Sequence, residues 1–210
     1  MLRLSRLTGY VIAAALLSAC SSVPPSSPTT NLENRQCNPS LDLAGASGLS
    51  LDGPTKVKVT LDAHAPCLQI TGGARSLYTA IKLPPEGTPY LISVTSRPLG
   101  QGLFSPHLLL LDSQGKQLRE IQREAFLFHG TALRVGIRAH PDEAYLVIAS
   151  DPQSVGGQVS QISENTQMTY VPVGVGGFVQ YHTGIDTTST YTYAHNGLVE
   201  VAVEPVPDGN

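Results

Sequence analysis

The stretch Ala132–Ser150, ALRVGIRAHPDEAYLVIAS, reads as a strand, a turn and a second strand. Leu133, Val135 and Ile137 alternate with Arg134, Gly136 and Arg138, the period of a strand with one face buried. His140-Pro141-Asp142-Glu143 then supplies turn chemistry. Ala144-Tyr145-Leu146-Val147-Ile148-Ala149-Ser150 is the clearest strand in the chain.

The same grammar extends in both directions. Lys56–Leu61 alternates strictly, and Cys67–Ile70 is a short strand before the Gly72-Gly73 turn. Leu77–Leu83 runs into Pro84-Pro85-Glu86-Gly87, and Tyr90–Ser96 follows. His107–Leu111 is continuously apolar, as in a strand covered on both faces. Asp112-Ser113-Gln114-Gly115 makes a hairpin turn, with Gln117–Ile121 returning from it. One short helical turn is expected near Glu124–Phe128, and Asn196-Gly197 precedes a last strand, Leu198–Val203. Short strands separated by turns predict an all-β fold, a β-sandwich of jelly-roll or Greek-key type. Residues 151–195 break the pattern: Gly, Ser, Thr, Gln and Val with five aromatics, expected as a long loop leaving the sandwich before the last strand.

The chain opens MLRLSRLTGYVIAAALLSAC. Arg3 and Arg6 precede an apolar run to Leu17, too short for a spanning helix, and Leu17-Ser18-Ala19-Cys20 has the form of a bacterial lipobox. Residues 1–19 are therefore expected to be a lipoprotein signal peptide, with Cys20 carrying the lipid. Residues 20–36, rich in Ser and Pro, are expected to be a tether, and residues 37–210 a single domain. Ser21 beside the lipidated Cys, where Asp would favour the inner membrane, points to the outer membrane, with the domain on the periplasmic side of the cell envelope. Cys37 and Cys67 remain, an even pair expected to form one disulfide in an oxidising compartment.

The chain carries 13 Lys and Arg against 16 Asp and Glu, with no basic run, which argues against nucleic-acid binding. Six His are scattered without ligand spacing, so no metal or other cofactor is expected. No GxSxG elbow occurs, and neither Asp142-Glu143 nor Glu120 and Glu124 has a cleft signature, so no catalytic residue is nominated and the chain is not expected to be an enzyme. The one positive functional signal is aromatic. Tyr170, Phe178, Tyr181, Tyr191 and Tyr193 could stack on sugar rings, form a protein interface, or fold back over one end of the sandwich.

Four segments in fixed order carry a resemblance. They are SLYTAIKLPPEGTPYLISVTS (76–96), FSPHLLLLDSQGKQL (104–118), LRVGIRAHPDEAYLVIASDP (133–152) and AHNGLVEVAV (194–203). In order and spacing they resemble the maltose operon periplasmic protein (MalM-like) family, of which this chain would be a lipobox-bearing, C-terminally shorter relative. The hairpin core is also similar to small β-sandwich modules attached to secreted peptidases. The family resemblance implies a non-enzymatic accessory to maltose and maltodextrin uptake, with no catalytic residues to carry over. The partners expected are the membrane, through Cys20, and a maltodextrin or an envelope protein. The alternative is an envelope scaffold or assembly lipoprotein that binds a protein through residues 151–195.

Overall fold

A computed structural model describes residues 30–70, 72–85, 89–163, 166–173, 177–184 and 187–206. The expected signal peptide, Cys20 and the first part of the tether lie outside the described residues. Alternation becomes register in two facing sheets. The first has the order β1 (Ser47–Gly48), β4 (Arg75–Lys82), β11 (Tyr145–Ser150), β7 (Pro106–Leu111) and β8 (Gln117–Ile121), with β3 (Cys67–Gln69) also on β4. The second runs β2 (Lys56–Leu61), β16 (Gly197–Pro205), β5 (Tyr90–Arg97), β10 (Ala132–Arg138) and β9 (Leu127–His129), antiparallel throughout. The chain crosses repeatedly from one sheet to the other, giving the all-β sandwich its Greek-key character. The short helical turn is a 3-10 turn at Arg123–Ala125.

Between the sheets, Leu77, Ile81, Leu108, Leu110, Leu146 and Ile148 from one side meet Ile92, Val94, Leu133, Val135, Val199 and Val201 from the other. Burying each such side chain stabilises the fold by about 1.5–3 kcal/mol. The first sheet is apolar on its second face as well. Tyr78, Ala80, Val147 and Ala149 lie there beneath Leu41, Leu43 and Ala46 of the amino-terminal segment. Asp42 donates its backbone N–H to the Tyr78 hydroxyl at 2.8 Å. That cover explains why β11 shows no polar alternation.

Cys37 and Cys67 form the expected disulfide. Around it, the Asn38 N–H donates to the Cys67 carbonyl at 2.9 Å, and the Gln69 N–H donates to the Asn38 carbonyl at 2.8 Å. One boundary needs correction. Residues 30–36, expected in the tether, are docked on the domain. Leu32 is 4% exposed in the core, Arg75 donates to the carbonyls of Leu32 and Glu33, and the Thr30 N–H reaches Asn196 Oδ1 at 3.2 Å. A buried leucine and backbone acceptors for the half-buried Arg75 guanidinium hold this segment on the domain.

A second correction concerns residues 151–195. They are expected as a loop and instead form β-structure: β12 (Gln158–Ser163), β13 (Thr166–Val173), β14 (Gly177–Gly184) and β15 (Thr187–Ala194).

Candidate functional site

These four strands form two antiparallel pairs in one register. In β12–β15, Gln158 stands opposite Thr192 and Ser163 opposite Thr187; in β13–β14, Thr166 stands opposite Gly184 and Val173 opposite Gly177. The pairings have a common phase, so stem and tip belong to one hairpin-type ribbon. Its root is tied to the sandwich. Tyr193 pairs in parallel with Leu103 of β6 (Gly102–Phe104), and Tyr193 exchanges backbone hydrogen bonds with Gly156 and Gly157 at 2.9 Å each. Gly197, where the chain turns into β16, lies so close to β6 that a Cβ there would sit 2.6 Å from the Phe104 Cβ. The turn needs glycine for that close approach.

Tyr191 and Tyr193 are corrected as contact candidates. They are 8% and 7% exposed and belong to the main core. The Arg123 guanidinium lies 4.7 Å from the centre of the Tyr193 ring and donates to its hydroxyl. Of the readings open for the aromatics, folding back over one end of the sandwich is the one realised by these two. Tyr170, Phe178 and Tyr181 fall on the tip strands, opposite Gln180, Pro172 and Thr169 respectively. Among the described residues β13 and β14 pair only with each other. A two-stranded ribbon is marginal by itself in water, and its outer backbone groups are available for a further strand.

Two polar clusters lie beside the core, one around Ser150 and one around Glu143, an acid that the sequence places at a turn without a cleft signature. Ser150 is fully buried. Its Oγ accepts from the Leu77 N–H at 3.1 Å and lies 2.7 Å from His195 Nδ1, while Ser76 Oγ donates to the Ser150 carbonyl at 2.7 Å. Burial lowers the His195 pKa, with Asp151 opposing, so the ring is neutral and its Nδ1 shares one hydrogen bond with the Ser150 hydroxyl. With no exposure, Ser150 cannot meet a substrate, and the pair clips the β15–β16 turn to β11. In the second cluster the Glu143 carboxylate, 4% exposed, takes Arg119 at 2.9 and 3.0 Å and the His140 N–H at 2.9 Å. Nearby, burial first and Glu143 second push Tyr90 up to about 12, so its hydroxyl stays protonated and donates to the Pro84 carbonyl.

The outward face of the second sheet holds a shallow trough of about 280 Å³. Its floor is Ser93, Thr95 and Ala202, and its rim includes Lys56, Arg97, Arg134, His129, Glu200 and Glu204. Lys56 and Lys58 approach Glu200 at 3.0 and 3.6 Å, and Arg134 Nε donates to Ser93 Oγ at 3.0 Å. The Lys56 hydrogen bond, aided by the charges of Lys56, Lys58 and Arg97, holds the Glu200 carboxyl below its ordinary range against the opposing cost of desolvation. No signal in the sequence had joined these residues, because they come from five strands, β2, β5, β9, β10 and β16. Among the described residues no group of three or more His, Cys, Asp or Glu could hold a metal ion.

No family model matches the chain, and no curated protein matches it. Among solved structures, a match is the pre-peptidase C-terminal domain of a collagenase from Bacillus anthracis, at a TM-score of 0.30 and 11% identity, covering 81% of this chain and 99% of that one. A likeness at that score supports no inference about what this chain does.

Proposed function

We propose that the chain is a lipid-tethered, periplasm-facing envelope protein without a catalytic centre, accessory to maltodextrin uptake, that engages an envelope protein through the β13–β14 ribbon. The observation that carries this reading is the ribbon itself, two eight-residue strands with no third strand among the described residues. Peptide partners bind such edges by adding a strand, with main-chain hydrogen bonds supplying affinity. The lipobox supports the address, and the resemblance of four ordered segments to the maltose operon family supports the uptake system as the place of action. Burial of Tyr191 and Tyr193 leaves fewer aromatics for direct sugar stacking, which favours a protein partner over a maltodextrin.

The test is a photocrosslinking residue placed at Gln180, on the exposed part of β14, in cells growing on maltodextrin. The expected product is one adduct with a component of maltodextrin uptake, absent when the probe stands at Lys116. Adducts from both positions, or from neither, would overturn the ribbon as the contact. An adduct with an envelope protein outside that system would remove the maltodextrin role and leave the scaffold alternative. Retention of the lipid label after Cys20→Ser would refute the tether.

A further inference from the structure

Eleven Lys and Arg remain beyond residue 19, and they are unevenly placed. Arg35 and Arg75 hold the amino-terminal segment, Arg119 pairs with Glu143, and Arg123 covers Tyr193. Five of the others, Lys56, Lys58, Arg97, Arg134 and Arg138, stand on the outward face of the second sheet, where alternation with buried Ile92, Val94, Leu133, Val135 and Ile137 places them. Glu200 and Glu204 are the acids on that face, so a chain of formal net charge −3 presents one cationic surface. The trough lies within it.

We infer that this trough binds an anionic saccharide, a sugar ring bearing a carboxylate or a phosphate. Its volume, about 280 Å³, is just below the usual range of ligand pockets and suits one ring, free or within a short chain. Lys56, Arg97 and Arg134 supply the positive charge an oxyanion needs, two of them as planar guanidiniums suited to paired hydrogen bonds. The mixed charge decides between a bare anion and a sugar. Glu200 and Glu204 would repel a free anion, whereas sugar hydroxyls need acceptors as well as donors. Ser93 and Thr95 on the floor offer both roles. No Tyr or Phe lines the trough, so a neutral glucan would lack a stacking platform there. The site is independent of the ribbon.

Isothermal titration of the whole processed chain in detergent, at low salt, tests it with four probes: trigalacturonate, glucose 6-phosphate, maltotriose and inorganic phosphate. At least one of the two charged sugars should bind, with affinity falling as salt rises. Arg97→Gln and Arg134→Gln should each weaken binding by about tenfold or more, while Arg138→Gln, outside the trough, should leave it within about twofold. All three side chains are exposed, and an unchanged unfolding midpoint will show that each variant is folded. Binding of trigalacturonate alone assigns a carboxylate ligand, and binding of glucose 6-phosphate alone a phosphorylated one. Equal binding of maltotriose, equal binding of inorganic phosphate, no charged-sugar binding at millimolar concentration, or indifference to both trough variants would each overturn the proposal.

Discussion

Strands β11 and β14 have similar lengths and both pair antiparallel, yet they stand in opposite situations. β11 lies between β4 and β7, with Leu146, Val147 and Ile148 at 0% exposure. β14 pairs with β13 alone among the described residues. Hydrogen-bonded ladders are common to both. What differs is what covers them: β11 has a core on each face, one supplied by the second sheet and one by the amino-terminal segment. Ladder hydrogen bonds largely replace bonds to water and contribute modestly to net stability, whereas burial contributes most of it. The sandwich should therefore be held by packing, and the ribbon should depend on whatever it contacts.

The largest test strikes the covered side. Ile148→Ala leaves a cavity at the centre of the core and should cost about 4 kcal/mol in denaturant unfolding; a loss below 1 kcal/mol would mean β11 is not held by packing. Next, replacing Cys37 and Cys67 together by Ser releases a 30-residue separation and should cost about 3 kcal/mol, measured the same way without reductant. An unchanged midpoint would show that the cover over the first sheet holds without its covalent link.

His195→Gln should cost about 1 kcal/mol at neutral pH by weakening the clip to Ser150. Its pH dependence sharpens the point. The folded pKa lies below 6.5, so the unfolded chain takes up the proton first, and this contribution is complete above pH 6.5 and lost as pH falls below it. The difference between wild type and variant should shrink on acidification; a growing difference would mean that the buried ring is charged. The smallest effect belongs to the ribbon. Replacing residues 164–186 by Asn-Gly joins Ser163 to its partner Thr187 through a two-residue turn. Stability should change by less than about 0.5 kcal/mol, and a loss above 2 kcal/mol would show that the tip is packed on the sandwich.

Legibility in the sequence follows the same division. Lys56–Leu61, Gln117–Ile121 and Ala132–Arg138 have the expected bounds, and Tyr90–Arg97 and Tyr145–Ser150 differ by one residue. In Lys56–Leu61, Tyr90–Arg97 and Ala132–Arg138 packing of one face imposes an alternating period. In Tyr145–Ser150 cover on both faces makes the run continuously apolar. Gln117–Ile121, with no fully buried residue, is legible from the hairpin turn that precedes it. The stem is buried at its root, by Tyr191 and Tyr193, while Ile162 farther out is 60% exposed, and β12 and β15 are written largely in Ser, Thr and Gln, so no apolar period distinguishes them from a loop. β6 is too short for any period, although all three of its residues are buried. Tyr191 and Tyr193 were ambiguous for a related reason: a tyrosine suits an interface and a core rim equally, and only the position of β6 and Arg123 decides. The trough was invisible because it unites residues from β2, β5, β9, β10 and β16 across a sheet, and linear spacing has no access to sheet neighbours.

The docked amino-terminal segment has a mechanical meaning. Traction on the chain ahead of Thr30 would first load the bond to Asn196, then lift Leu32 from the core and strip its carbonyl and that of Glu33 from Arg75. It would then stop at Cys37, where the covalent link passes the load to β3 and so to the interior of the first sheet. A pull from that end can peel away no more than a few residues before it meets the whole sandwich in shear, so the domain can bear tension through its leading segment without unravelling.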